Sequence, residues 1–392
     1  MMKKNVLTLL SGFLLTATAA TAQTVIVPDA PQVNAKGYVL MDYHSGKVIA
    51  SSNENEHLAP ASLTKIMTSY VIGQELNNGR LALDDKVTVS RNAWARNFPG
   101  SSLMFIEVGE KIAISDLYRG LVIQSGNDAS VALAEHVAGS ESAFVQLMNN
   151  WAQQLGMTNT LFTNPHGLDS DGKHTTPLDM AKLSQALIRD VPDQYALYSE
   201  RSFEWAGITQ YNRNKLLWDN SLNVDGIKTG YTGEAGFSLV TSATEDDMRL
   251  ITVVMGTPSE QARMDESRRL LQYGFRFFDT SKQLTEGETL QSARVWQGEL
   301  DYVSAGVDKD VYITLPAVQM NRMTMSYDID SPLTAPIAKG EQIGTVTWQA
   351  GDEIVEQRPL IALEAVERGG LVKRLMDSVR QFFDSLKARI LG

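Results

Sequence analysis

Four residues, Ser62-Leu63-Thr64-Lys65, constrain this chain more than any other stretch, because they can set a hydroxyl and an amine side by side at the start of a helix. Pro60 precedes them, Ser62 has a good N-cap side chain, and Leu63 to Leu76 reads helical until Asn78-Gly79 ends it. Residues three apart share a helix face, so the Lys65 amine can reach Ser62 Oγ and, when neutral, take its proton. Alone the pattern says little, since about one or two such matches arise by chance in a chain of this size. A second occurs at Ser170-Asp171-Gly172-Lys173, where Asp-Gly signals a turn that need not bring serine and lysine together. The rest of the chain must decide between a capped helix with a surface lysine and an activated serine.

Composition removes several competing chemistries. The 392 residues contain no cysteine, which excludes disulfides, thiolate catalysis and thiolate metal sites. The five histidines, His44, His57, His136, His166 and His174, show no H-E-x-x-H or other compact ligand spacing, so neither metal nor cofactor is expected. A formal net charge of -11 argues against nucleic acid as the main partner.

An activated serine needs a base, a second proton-handling group, an oxyanion hole and something to hold the substrate. No G-x-S-x-G occurs, and no histidine has the context of a Ser-His-Asp triad. A Ser-Lys arrangement fits better: Ser62-x-x-Lys65, Ser125-Gly126-Asn127 and Lys228-Thr229-Gly230 follow one another in order. S-x-N also appears at Ser51, Ser90 and Ser221, but Ser125 lies well inside the interval, and Gly126 allows a tight turn aiming Ser125 and Asn127 into a cleft. K-T-G occurs once, on a strand-like segment where Gly230 would let a substrate backbone approach a sheet edge.

The organisation along the chain is compatible with that chemistry. Lys3-Lys4, the apolar run Val6 to Leu15 and Ala20-Thr21-Ala22 make residues 1–22 a signal peptide, leaving Gln23 as the mature terminus. Gly37 to Asp42 and Lys47 to Ala50 flank a Ser45-Gly46 turn as a hairpin. Trp94 to Glu110 reads as a long loop, a candidate wall of a site; Ile114 to Ala138 reads helical with a break at Ser125-Gly126-Asn127; and a further helix runs around Ala143 to Leu155. Asn164 to Gly172 is irregular, and three strands (Gly226 to Gly230, Phe237 to Thr244, Leu250 to Met255) precede a helix from Pro258 to Phe278. This gives a catalytic domain over 23–280. Short β-rich segments, Val311 to Leu315, Met323 to Tyr327, Ile343 to Trp348 and Leu360 to Ala365, form an all-β domain over 281–368. Residues 369–392 carry an amphipathic helix, Leu371 to Leu391, whose apolar residues Val372, Leu375, Met376, Val379, Phe382, Phe383, Leu386 and Ile390 follow helical spacing and face Lys373, Arg374, Arg380, Lys387 and Arg389 against Asp377 and Asp384. Its excess of positive charge and its Phe382-Phe383 pair suit an anionic membrane surface.

The ordered S-x-x-K, S-x-N and K-T-G set resembles the penicillin-recognising serine enzymes, and within them the low-molecular-mass D-Ala-D-Ala carboxypeptidases of the penicillin-binding protein 5/6 group. The likeness extends from the leader through Leu121 to Ala129, Leu217 to Gly230 and Gly274-Phe275-Arg276-Phe277-Phe278 to the terminal helix. It implies an α/β (α+β) β-lactamase/transpeptidase-like domain with an antiparallel sheet and helices, plus a small all-β domain. It implies a penicillin-inhibited enzyme that removes the terminal D-Ala from peptidoglycan stem pentapeptides, sitting at the outer face of the cytoplasmic membrane. By the same resemblance Ser62 would be the nucleophile, Lys65 its base with a pKa lowered by nearby Lys228, and Ser125 the relay to the leaving amine. Asn127 would hold the substrate amide; Lys228, Thr229 and Arg263 would bind the terminal carboxylate; backbone N–H groups of Ser62 and Tyr231 would form the oxyanion hole. Arg213 resembles a position near the cleft, with a structural ion pair as its other reading. Close relatives often carry His where this chain has Tyr231, which bears on acyl-enzyme hydrolysis. A β-lactamase is the alternative enzyme, but no E-x-x-L-N lies between Ser125 and Lys228; a non-catalytic wall-binding scaffold is the alternative without chemistry.

Overall fold

The computed structural model describes residues 27–391, with side chains described through 383. The leader assigned to residues 1–22 lies outside the described residues. Three consecutive strands, Asn223–Thr232, Gly236–Glu245 and Met248–Thr257, form an antiparallel meander, and the N-terminal hairpin Gly37–Asp42 and Val48–Ser52 joins it through Gly37–Asp42. The five-stranded order runs from Val48–Ser52 at one edge to Asn223–Thr232 at the other, so the K-T-G residues occupy an edge strand.

The central strands are apolar on both sides because both faces are covered. Helix Pro177–Asp190 packs on one face and helix Glu260–Phe277 on the other. The latter begins two residues later than the sequence suggests, because Ser259 is its N-cap and accepts from Ala262 N at 3.0 Å. Gly274 lets this helix sit tightly on the sheet, since a Cβ there would come within 2.4 Å of Leu250 Cδ1. Pro177–Asp190 was not expected from the sequence, although Thr176 caps it and Pro177 occupies its first turn.

The remaining helices build the other half of this domain. Thr64–Asn77 is buried on all sides from Thr64 to Gly73, as a helix at the centre of a core must be. The expected interrupted helix is Ile114–Arg119, a wide π-helical turn Gly120–Gln124, and Asn127–Ala138.

The second domain is a six-stranded sheet in the order Met323–Ile329, Gln342–Ala350, Glu353–Ala362, Tyr302–Gly306, Gln291–Trp296, Leu333–Thr334. Val311–Pro316 pairs instead with Phe278–Leu284 in a two-stranded ribbon. The segment expected to extend to Ala365 ends its strand at Ala362. The two domains meet where Thr280 Oγ1 donates to Asp42 Oδ2 at 2.8 Å, Ser45 Oγ lies 2.6 Å from Thr314 Oγ1, and His44 stacks on Tyr312.

The terminal helix Leu371–Leu391 is seated on the second domain by its polar side. Asp377, only 2% exposed, accepts from Gln297 N at 2.9 Å, and Lys373 donates to Glu299 O and pairs with Asp301. Its apolar residues Leu371, Val372, Leu375, Met376, Val379 and Phe383 face outward. A surface helix ordinarily buries the apolar side and exposes the polar one; here the arrangement is reversed.

Candidate active site

Ser62 lies in a 3-10 turn, Ala61–Leu63, that runs directly into the helix Thr64–Asn77. The expectation that Ser62 caps this helix is not met, because a capping side chain folds back from an extended backbone and the chain here enters through a helical turn, Leu63 at φ -63°. No side-chain cap hydrogen bond forms, and Ser62 Oγ stays available to Lys65 Nζ at 3.2 Å. The turn is sharp: Ala61 takes φ 47°, a left-handed backbone that a residue with a side chain adopts at some cost.

Lys65 is 1% exposed, and its amine also faces Asn127 Oδ1 at 2.7 Å and the His166 carbonyl at 2.5 Å. A neutral amine has two N–H donors and one lone pair. The two acceptor-only oxygens take the donors, which leaves the lone pair for the Ser62 hydroxyl hydrogen. Burial holds the Lys65 pKa well below the usual lysine range, Arg213 and Lys173 push it the same way, and Asp128 opposes them. The like-charge coupling expected between Lys65 and Lys228 is present and is felt at Lys228. Lys228 is itself held low, first by burial and then by Lys65, Arg213 and Arg263.

Ser125 and Asn127 flank the restart of the broken helix. Ser125 carries the left-handed conformation, φ 62° and ψ 32°, while Gly126 sits at φ -59°. The glycine is needed for closeness instead of for turning, since a Cβ there would lie 2.8 Å from Asp128 Oδ1 and 3.1 Å from Met104 N. Ser125 Oγ is buried without a hydrogen-bond partner among the described residues. Asn127 donates through Nδ2 to Ser101 Oγ at 2.8 Å, tying the loop before Met104 to the lysine. Asp128 fixes the same loop by accepting from the N–H groups of Met104, Phe105 and Ile106, so Trp94 to Glu110 is a pinned wall.

The third element lies on the edge strand Asn223–Thr232, with Lys228 and Thr229 buried. Gly230 admits the serine turn itself: a Cβ would stand 3.1 Å from Pro60 O and 3.2 Å from Leu63 Cγ. Tyr231 is 56% exposed, its ring against Phe237 at 4.3 Å. Arg263, 5% exposed on the following helix, donates to Gly230 O at 3.2 Å and pairs with Glu260. Arg213 is exposed and makes no ion pair among the described residues, so its structural alternative is not met; its charge acts on both lysines.

The structure therefore joins Ser62, Lys65 and Asn127 by direct contacts, and Gly230 and Arg263 by packing along the edge strand. Sequence reasoning missed the loop Asn164 to Lys173. His166 supplies a carbonyl to Lys65, and Gly167, at φ 89°, presses onto the serine turn so closely that a Cβ would fall 1.9 Å from Ala61 O. The run Asn164-Pro165-His166-Gly167 was legible as irregular, but nothing local pointed it at Lys65.

Residues 23–259 match the D-alanyl-D-alanine carboxypeptidase family. The chain belongs to that family. Residues 278–368 match the C-terminal domain of penicillin-binding protein 5. Among family members the chain is 48% identical over 375 residues to the D-alanyl-D-alanine carboxypeptidase DacC of Escherichia coli (strain K12), covering 95% of this chain and 93% of that protein. It superposes on penicillin binding protein 5 from Haemophilus influenzae with a TM-score of 0.85 at 44% identity, covering 87% of this chain and 100% of the other. Penicillin-binding protein D2 from Listeria monocytogenes, solved in a cefotaxime-bound form, gives a TM-score of 0.58 at 28% identity over 63% of this chain and 100% of its own. The protein is a serine-type D-alanyl-D-alanine carboxypeptidase with a penicillin-recognising domain and an all-β domain.

Proposed function

We propose that this carboxypeptidase acts through Ser62 on peptidoglycan stem pentapeptides. Ser62 Oγ attacks the carbonyl carbon of the penultimate D-Ala while its proton moves to Lys65 Nζ. The proton then passes by way of Ser125 to the departing D-Ala nitrogen, leaving an ester on Ser62 that water cleaves. The observation that carries this reading is the set of partners around the Lys65 amine, Asn127 Oδ1 at 2.7 Å, the His166 carbonyl at 2.5 Å and Ser62 Oγ at 3.2 Å; once neutral, an amine that donates to the first two keeps its lone pair for the Ser62 hydroxyl. The unpartnered hydroxyl of Ser125 suits a group whose partner is the substrate nitrogen. Lys228, Thr229 and Arg263, with Arg213 nearby, supply positive charge and donors for the terminal carboxylate that distinguishes this substrate from an internal peptide bond. Asn127 Nδ2 has a second hydrogen for the substrate amide, and the N–H groups of Ser62 and Tyr231 receive the oxyanion.

β-Lactams acylate the same serine in this reading, and the slow step is hydrolysis of the resulting ester. The leader pattern supports export to the periplasm, and the outward apolar side of the terminal helix supports attachment to an anionic membrane surface. The decisive experiment labels the mature protein with a fluorescent penicillin and measures D-Ala release from a stem pentapeptide. Ser62→Ala should abolish both; persistent labelling would remove Ser62 from the mechanism.

A further inference from the structure

The second S-x-x-K match, set aside because Asp-Gly turns it away from catalytic geometry, contains a lysine that is buried more completely than a surface loop requires. The side chain of Lys173 is 1% exposed, and its ammonium donates to the carbonyl of Gly167 at 2.8 Å and to that of Leu168. Its one ion-pair partner among the described residues is the half-exposed Asp169, at 4.0 Å, and Glu234 adds a weaker opposite charge. A buried cation with so distant a counter-ion is costly unless its hydrogen bonds are used. Those bonds clamp the two residues that follow His166, the residue whose carbonyl meets Lys65. Asn164 closes the same loop from its other side, accepting from Gly167 N at 2.7 Å and donating to Leu168 O at 2.9 Å. Thr68, one turn along the helix from Lys65, donates to Pro165 O at 2.6 Å.

We propose that Lys173 is a positioning residue for the Lys65 amine: by clamping the Gly167 and Leu168 carbonyls it holds the His166 carbonyl in place and adds a second positive charge beside the base. The inference rests on Lys65 being the base. Lys173 can act on it in two ways that separate experimentally. The clamp fixes the acceptor that orients the amine, which governs the acylation rate at any pH. The charge disfavours the ammonium form of Lys65, consistent with the downward push that Lys173 exerts there. The other groups bearing on the Lys65 amine are Arg213, which pushes the same way, Asp128, which opposes, and Lys228, whose own pKa is lowered by burial and by Lys65. His166 is held neutral. Removing Lys173 therefore leaves Asp128 less opposed and moves the Lys65 titration upward.

The test compares Lys173→Met, which loses clamp and charge, Lys173→Gln, which keeps amide donors without charge, and Lys173→Arg, which keeps both. Acylation by a fluorescent penicillin and D-Ala release are followed from pH 5 to 9, with thermal melting of each variant. Lys173→Met should acylate about tenfold more slowly at neutral pH, the equivalent of one well-placed hydrogen bond, and its acid limb should shift upward. Lys173→Gln should share the shift with a smaller loss at the alkaline plateau, and Lys173→Arg should restore the wild-type limb. A normally melting Lys173→Met with wild-type rate and limb overturns the proposal. If Lys173→Met fails to fold, superimposable pH profiles for Lys173→Gln and Lys173→Arg overturn it instead. Ser62→Ala run in parallel separates the two levels, since labelling of that variant would sink the assignment of the site and not merely the role of Lys173.

Discussion

Acid should destabilise this protein through His166, and the size of the effect follows from the ring's surroundings. His166 is buried against the site, its Nδ1 accepts from Leu168 N at 3.1 Å, and Lys65 and Lys173 lie close by. Burial, then Lys65, then Lys173 lower its pKa from 6.5 to about 3. Between those values the unfolded chain binds a proton that the folded chain refuses, so stability rises with pH through this window and is lost as pH falls. The complete difference corresponds to about 5 kcal/mol below the folded value, and acidifying from pH 7.5 to 4.5 takes about 2.5 kcal/mol of it. His166→Gln keeps an acceptor for Leu168 N but cannot titrate. Urea unfolding of both proteins at the two pH values, read by tryptophan fluorescence, gives a difference of differences from which the other titrating groups cancel. The variant should start less stable, having lost the edge contact with Phe98, yet should lose about 2.5 kcal/mol less on acidification. An equal loss in both proteins would refute the reasoning.

Arg263→Ala should reduce kcat/KM for peptides with a free C-terminus about tenfold more than for their C-terminal amides; equal losses would mean that Arg263 serves only to brace the Gly230 carbonyl. Tyr231→His should accelerate deacylation in single-turnover measurements while acylation changes little, because the backbone N–H is retained and the exposed ring leans on Phe237; unchanged deacylation would count against it. A protein ending at Glu367 should stay soluble and keep its activity on small peptides, whereas the full mature chain should sediment with anionic vesicles, each cation near the surface contributing about 1 kcal/mol. Identical partitioning of the two would show that the terminal helix is not the attachment.

Much of the site was readable because the chemistry selects residue types in fixed local spacing. Ser62 and Lys65 face each other through helix periodicity, and Lys228 to Gly230 lie on a strand as their β-forming neighbours require. What could not be read were contacts across long sequence separations. The His166 carbonyl reaches Lys65 over 101 positions, and a carbonyl leaves no trace in residue identity. Gly126 stands out in the sequence as a turn residue but is needed for close packing, and Gly230 also admits the serine turn, contacts that only tertiary packing reveals. The left-handed Ser125 escaped for a related reason, since its backbone is imposed by the wide turn before it. The terminal helix was legible in extent, while its seating by Asp377 and Lys373 depended on partners in a separate domain.

The cleft gathers Lys65, Lys228 and Arg263 beneath Arg213 in a protein whose formal net charge is -11. A peptide carrying a terminal carboxylate therefore meets two fields of opposite sign. Far from the protein it feels net repulsion, which dissolved ions screen over about 8 Å at physiological ionic strength; inside the cleft it feels attraction that ions reach poorly. Added salt removes the first effect before the second. Capture of an anionic peptide should consequently hold steady or quicken as sodium chloride rises from low to physiological concentration, the reverse of what positive long-range steering produces. The acidic exterior thus works as a toll on approach that the ionic medium outside a cell would largely lift.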